Sequence, residues 1–513
     1  MSEILIRMVR AEIVEFAYDA DMAELHVRCA IDSLTNKLIV TFSGFHHRMA
    51  LFATSIGVKL RQVIREQLYS DDNLANVVAA LRRRYSNRHK DPANAAHFWR
   101  LTFLTTDPIH FFDFNPTTDG LEKLNVFSRT KFNTFLEHLC TATTTTINTG
   151  TGNSSGIVVY GLVHGNATPH EASELAQSFV HRSGFIPVQP PALATTVPAH
   201  SSTASAQTAL NRIVRLPCDR SIKIGLPTEN VNEKNSVIEM YFQGSGQNFK
   251  KTPWGKELAI VRMLDTLLEE PVFNVLRTQE QLGYTVQSSY RMTAGVVGFY
   301  FSVISASHPS SHIEERIEYF CNCAGTYFRL LPDAEFVKRR NALHVSLSIP
   351  HTDLEESADE LWDALTERHF CFDSQTKIAN SVVSVTKHDI VEWWDRCVLA
   401  PTGRKKLVVC VDARTPNSSE AVLANGGRGS DSDSGSDSGS GSGSGSGSDD
   451  DMSGSSGSED DDEDEDEDES IDFPMSSPHQ SVGWWKNSYS VVEVAPVDVA
   501  SYKATLELLP APA

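Results

Sequence analysis

From Gly426 to Ser470 the chain offers almost nothing that a hydrophobic core could use: Gly, Ser and Asp alternate, and Glu459 to Glu469 is an unbroken run of eleven acidic residues. Such a segment cannot bury enough apolar surface to offset the entropy of ordering it, so residues 426–472 are expected to be disordered. Apolar sequence then resumes. Between Val482 and Leu509, Trp484, Trp485 and the run Val491-Val492-Glu493-Val494 give the chain something to dock, which makes the acidic tract an insertion within a fold and not a free tail. The same tract dominates the charge. Of the 66 acidic residues, eighteen lie between Gly429 and Asp472 with no Lys or Arg among them, and the other 48 face 45 basic ones. The formal charge of −21 therefore belongs to one segment, and the nearly neutral remainder excludes a strongly basic nucleic-acid binder.

With 513 residues the chain is long enough for roughly two to four domains. No run of eighteen apolar residues occurs, and a stretch such as Ile157 to Val163 is only strand-length, so no membrane span is expected. The opening, Met1-Ser2-Glu3-Ile4-Leu5-Ile6-Arg7, lacks the basic start, long apolar stretch and small-residue cleavage site of a secretory signal. Eight Cys are spread along the chain with only Cys321 and Cys323 close together, a pattern of reduced thiols more than of a disulfide framework. A cytoplasmic location is the expectation.

Apolar residues at helical spacing (Ile4, Met8, Ala11, Val14, Ala17, Tyr18) predict a helix over Ser2–Glu24, and similar patterns predict helices at Met49–Leu68, Asn73–Tyr85, Pro92–Thr105 and Ser128–Leu139. Lys37–Phe45 reads as a strand, Thr141–Ser155 as a loop and Gly156–Val163 as a strand. Thr168-Pro169-His170-Glu171 is a capping box with Pro at the first helical position, so a helix should run from there to about Arg182. The Pro-, Ala-, Ser- and Thr-rich stretch Pro187–Gln207 marks a domain boundary. Beyond it, strands at Asn211–Leu216, Ser221–Leu226, Ser236–Gly244, Tyr284–Gln287, Val296–Ala306 and Lys406–Val411 alternate with helices at Gly255–Leu268, Val272–Gln281, Ser311–Arg329, Asp333–Leu347, Asp353–Arg368 and from Thr386. Hairpin-like strands backed by runs of helices argue an α+β class, with antiparallel-rich sheets in two consecutive domains. The expected divisions are 1–186, a linker at 187–210, 211–425, the insertion at 426–472, and a docking segment at 473–513.

Hydrolytic zinc chemistry needs two His on one helix face with a nearby base, in the order H-E-x-x-H or its inverse H-x-x-E-H. Neither occurs. The nearest approach, Thr134-Phe135-Leu136-Glu137-His138, has a hydroxyl where an imidazole is needed, so Glu137 and His138 read as a helix-surface pair. Cys321 and Cys323 are two apart in a helical pattern and point to different faces, and His46-His47 reads as a turn pair. No phosphate loop, nucleophile elbow or dinucleotide fingerprint is present. One segment stands apart. In Glu269–Val286 a helix with Val272, Val275, Leu276 and Gln279 on one face ends near Leu282-Gly283, where Gly283 is expected to supply the permissive C-terminal backbone. Arg277 lies two helical turns before Tyr284, so a guanidinium and a phenol could converge at one end of a sheet and hold a carbonyl or carboxylate; spacing alone favours the plainer reading, a surface Arg and a half-buried strand Tyr.

The segment Arg277-Thr278-Gln279-Glu280-Gln281-Leu282-Gly283-Tyr284 resembles the R-T-x-E-Q-L-G-Y motif of the insulin-degrading enzyme and nardilysin family of pitrilysin-type zinc peptidases. Glu15 to Leu25, Ser43-Gly44-Phe45-His46-His47, Val163-His164-Gly165-Asn166 and Leu506-Glu507-Leu508-Leu509-Pro510 resemble the family's third and fourth domains in order. The resemblance implies two halves closing around a chamber, with the inverted zinc motif in the first half and none in the second. This chain resembles the second, metal-free half. Zinc is then expected in the intact enzyme but not on this chain, and Arg277 and Tyr284 would face the chamber and position the substrate near its scissile carbonyl. The implied partners are a zinc-bearing N-terminal half, on the same or a separate polypeptide, and peptide substrates; the resemblance implies no role for the acidic tract, whose composition suggests either attraction for basic peptides or partners or a solvated loop that only aids solubility, and no nucleic acid and no membrane are expected. The family's third domain has a strand region before the helix with which this chain opens, so a fragment of a longer product is the expectation, with separate half-proteins as the alternative. The function expected is that of a non-catalytic half of a metalloendopeptidase, inactive alone, and the alternative is a non-enzymatic peptidase-like scaffold or interaction subunit.

Overall fold

The computed structural model describes residues 1–31, 38–87, 90–105, 120–141, 159–185, 213–228, 230, 232–246, 255–293, 295–366, 371–401, 403–413, 473–474, 490–494, 502 and 505–506. The expected linker at 187–210 and insertion at 426–472 lie outside them. The chain opens with α1 (Ser2–Asp21), whose buried residues are Ile4, Leu5, Ile6, Met8, Val9 and Ile13. The expected stripe is thus half right: Ile4 and Met8 are buried, but Val14 and Tyr18 are exposed, because the later turns of α1 outrun the core they would cover. A hairpin follows, β1 (Leu25–Ile31) against β2 (Leu38–Gly44), in register from Leu25↔Gly44 to Ile31↔Leu38. Gly44 has φ +132°, and a Cβ there would meet the Glu24 carbonyl oxygen at 2.1 Å, so glycine is required where β2 ends beside the start of β1.

Helices α2 (His46–Ile64) and α3 (Asp71–Asn87) bury Phe52, Ile56, Leu60, Leu74, Val77 and Leu81 at three- and four-residue spacing against α1 and the hairpin. The chain continues through α4 (Pro92–Leu104), α5 (Leu121–Asn125), α6 (Arg129–Thr141) and α7 (Pro169–Ser183). The capping box of α7 is present: Thr168 N–H donates to Glu171 at 2.8 Å and Glu171 N–H to Thr168 Oγ1 at 3.3 Å. The expected strand Gly156–Val163 is a correction. Over 159–163 the backbone belongs to no described strand, and Val159, Tyr160 and Val163 are exposed. A β-rich run becomes a strand only when another strand satisfies its backbone, and no described strand lies beside this one.

The second sheet has six strands in the order β5-β6-β4-β7-β3-β8: β3 (Arg220–Pro227), β4 (Ser236–Gly246), β5 (Thr285–Thr293), β6 (Val296–Ser305), β7 (Lys406–Asp412) and β8 (Ser490–Glu493). β3 runs parallel to β7 and β8 and the other pairs are antiparallel, which fits the expected α+β class. Side chains alternate between two covered faces. On one, Ile238, Met240, Phe299, Phe301 and Val408 meet α8 (Lys256–Pro271), α9 (Ser310–Leu330) and, beyond α10 (Asp333–Ser348), α11 (Leu354–Thr366) and α12 (Ser374–Val383), α13 (Lys387–Trp394). On the other, Val237, Tyr241, Leu407 and Val409 meet α4, whose Arg100 donates to the buried carboxylate of Glu239 at 2.7 Å. β7 and β8 flank the expected insertion in sequence and share this sheet, and Phe473 stacks on Phe320 of α9 at 4.7 Å. No described helix is long and apolar enough to cross a membrane.

Beneath the sheet, α9 carries Glu314 and Glu318 one turn apart, both buried. Lys223 and Lys406 each reach Glu314 at 2.9 Å, Lys406 reaches Glu318 at 2.5 Å, and Arg404 reaches Glu318 at 2.9 Å. Burial opposes the charge on Glu314, but the two lysines outweigh it and hold its carboxyl down at about 2.

Candidate functional site

The site is built at the end of α8. Pro271 has no N–H to donate and crowds the carbonyl four residues back, and from Val272 to Gln279 the helix widens into a π turn. Glu280 N–H then bonds the Val275 carbonyl, five residues back, at 2.9 Å. The expected separate helix at Val272–Gln281 is therefore a continuation of α8. Its inner face buries Val272, Val275 and Leu276, while Gln279 is exposed. At the turn that follows, Gln281 takes the left-handed conformation with φ +52°. Gly283 serves differently from the sequence expectation: a Cβ there would lie 2.1 Å from the Ile304 carbonyl oxygen, so glycine is required for close approach to β6 and not for a positive φ.

Two side chains lock the turn from within. Leu282 is buried in the core, and Glu280 accepts from Arg316 Nε at 2.7 Å and Nη2 at 2.6 Å, a two-pronged pair in which both side chains are almost fully buried. From this anchored segment Arg277 projects outward with its guanidinium carbon 4.6 Å from the Phe273 ring centroid and 5.3 Å from that of Tyr284. The structure thus brings Arg277 and Tyr284 together, with Tyr284 86% exposed. Phe273 was not singled out from the sequence; its signal is its place one turn before Arg277, where a helix brings side chains together. Arg277 has no carboxylate partner among the described residues, so its N–H donors are held in place by ring faces alone.

Nearby, Asp265 on α8 accepts from Ser289 Oγ of β5 at 3.2 Å, and burial raises its carboxyl to about 6. Nothing in its sequence context marks it.

The remaining sequence candidates are scattered. Thr134 Oγ1 donates to the Thr130 carbonyl at 3.0 Å, Glu137 accepts from Gln67 at 3.4 Å, and the His138 side chain lies outside the described residues. His46 and His47 open α2 and do not form a turn, because α2 begins directly after Phe45. Cys321 and Cys323 are buried in α9, where burial raises both thiols. Among the described residues no group of three or more His, Cys, Asp or Glu side chains is placed to hold a metal ion. They do not fit a zinc site.

Comparison with known proteins supplies the class. Residues 1–110 match the profile "Middle or third domain of peptidase_M16", and residues 263–362 match "PQQ synthase PqqF-like, C-terminal lobe domain 4". The fold is that of pitrilysin, whose crystal structure superposes with a TM-score of 0.64 at 14% identity, covering 99% of this chain and 42% of that one. Two segments of the chain thus match domains of peptidase M16 type, on a fold like that of pitrilysin. Within that class it is similar to a nardilysin-like protein of Arabidopsis thaliana, 24% identical over 77% of this chain and 34% of the relative, and to human insulin-degrading enzyme, 26% identical over 52% of this chain and 24% of the relative. The likeness to nardilysins extends over about three quarters of the chain, which spans about a third of the length of the nardilysin relatives it matches.

Proposed function

We propose that this chain acts as the metal-free half of a zinc metalloendopeptidase that degrades oligopeptides, forming chamber wall and orienting the substrate through Arg277 and Tyr284. The observation that carries the reading is the Arg277 guanidinium resting between the Phe273 and Tyr284 rings. Held this way, its donors have no carboxylate among the described residues to neutralise them, a suitable state for a peptide carbonyl on which negative charge develops. The Tyr284 hydroxyl, on a side chain exposed to solvent, adds a second donor. Zinc, and the base that activates water, would belong to the partner half, on the same or a separate polypeptide, in the cytoplasm.

The experiment is reconstitution with the zinc-bearing half of a nardilysin-type peptidase and an oligopeptide substrate. Chelator-sensitive turnover is expected only when both halves are present, and Arg277→Ala should reduce it. Chelator-sensitive turnover by this chain alone, or turnover indifferent to Arg277→Ala, would overturn the reading; the second result would leave a peptidase-like interaction scaffold.

A further inference from the structure

Next to the candidate site lies a strand that natural proteins seldom leave open. β5 is the edge of the six-stranded sheet and pairs with β6 alone among the described strands, in unbroken register from Thr285↔Ile304 to Thr293↔Val296. Edge strands are normally guarded by Pro, Lys, a bulge or a short length. β5 is nine residues long with no Pro, no Lys and no bulge, and it is uncharged from Thr285 to Tyr290.

A cleft of about 680 Å³ runs along this edge. Four successive residues, Val286, Gln287, Ser288 and Ser289, line it, although alternate residues of a strand point to opposite faces; the cleft therefore follows the backbone edge itself. Across from them stand Glu269 and Phe273, with Glu270 beside them. Phe273 is also the ring beneath Arg277, so the cleft is continuous with the candidate site.

We infer that the β5 edge at Val286–Ser289 binds an extended segment of a peptide as an added strand, with a basic side chain set against Glu269 and Glu270. This rests on the peptide-positioning reading above and extends it to a second contact on the same substrate. Backbone pairing supplies affinity without sequence preference, and the two carboxylates supply the preference for charge. Glu270 is 69% exposed and lies 3.9 Å from Arg339, which is engaged more closely by Glu335 at 2.6 Å, so the wall keeps negative charge to offer.

The test uses the full 513-residue chain and a labelled nine-residue peptide of alternating Arg and Val, together with two forms N-methylated at odd or at even positions. Added-strand pairing predicts that one methylated form binds about tenfold weaker or worse and the other unchanged, and that the peptide slows hydrogen exchange within 286–289. Equal binding of all three forms, or no protection of 286–289, would overturn it. Arg277→Ala separates the two readings. Weaker binding with no β5 protection in the unmodified chain sinks the edge site and keeps the Arg277 reading; β5 protection with affinity indifferent to Arg277→Ala does the reverse. Absence of any binding by the parent peptide overturns both, and protection that grows with chain concentration alone assigns the edge to a second copy.

Discussion

The inner and outer faces of the segment Val272–Tyr284 use the same residue type for opposite ends. On the inner side Arg316 of α9 gives its donors to Glu280 and is sealed from water; on the outer side Arg277 rests on two rings with its donors uncommitted among the described residues. A buried guanidinium must be matched by a carboxylate or the fold is penalised, whereas an exposed one can be held by aromatic faces and kept for a ligand. The difference separates residues that hold the site from those available to act in it.

The comparison breaks most visibly at Glu280. Glu280→Ala leaves Arg316 charged and buried without its partner, and urea denaturation should register a loss of about 3–5 kcal/mol. Next comes Gly283→Ala, where a methyl group would collide with the Ile304 carbonyl; a loss of about 1–3 kcal/mol is expected by the same measurement.

A smaller effect separates two carboxylates by pH. Asp265 holds its proton in the folded chain up to about pH 6, while an unfolded Asp releases it near 3.8, so its contribution to stability falls as pH rises through that window. Asp265→Asn should therefore raise the urea midpoint at pH 8 relative to the parent and change it little at pH 4. Glu314, held down at about 2, has the opposite sign: its contribution is present above about 4.5 and is lost as pH falls towards 2. The smallest change is expected on the outer face, where Arg277→Lys should alter stability by no more than about 0.5 kcal/mol. Lysine keeps the charge but cannot lie flat between two rings, so peptide binding should weaken although the fold does not.

Local chemistry was legible in the sequence and distant pairing was not. The α7 capping box, Pro at the start of α4 and the strands β3, β4, β6 and β7 follow from residues a few positions apart. The hairpin strand β1 and helix α12 escaped, being short and only partly apolar. Nothing in spacing shows that α4 packs on a sheet begun more than a hundred residues later, or that Lys223 meets Glu314. The same divide runs through the site. Arg277 and Tyr284 share one motif and could be proposed from it, but the Arg316 anchor comes from a separate helix, and the role of Gly283 depends on where β6 lies.

The central claim, that the outer face acts on substrate while the inner face only holds it in place, is tested most directly by Tyr284→Phe in the reconstituted enzyme. Removal of one hydroxyl should lower turnover about a hundredfold, with the urea midpoint of the chain unchanged. Unchanged turnover, or a turnover loss that tracks a loss of stability, would contradict it.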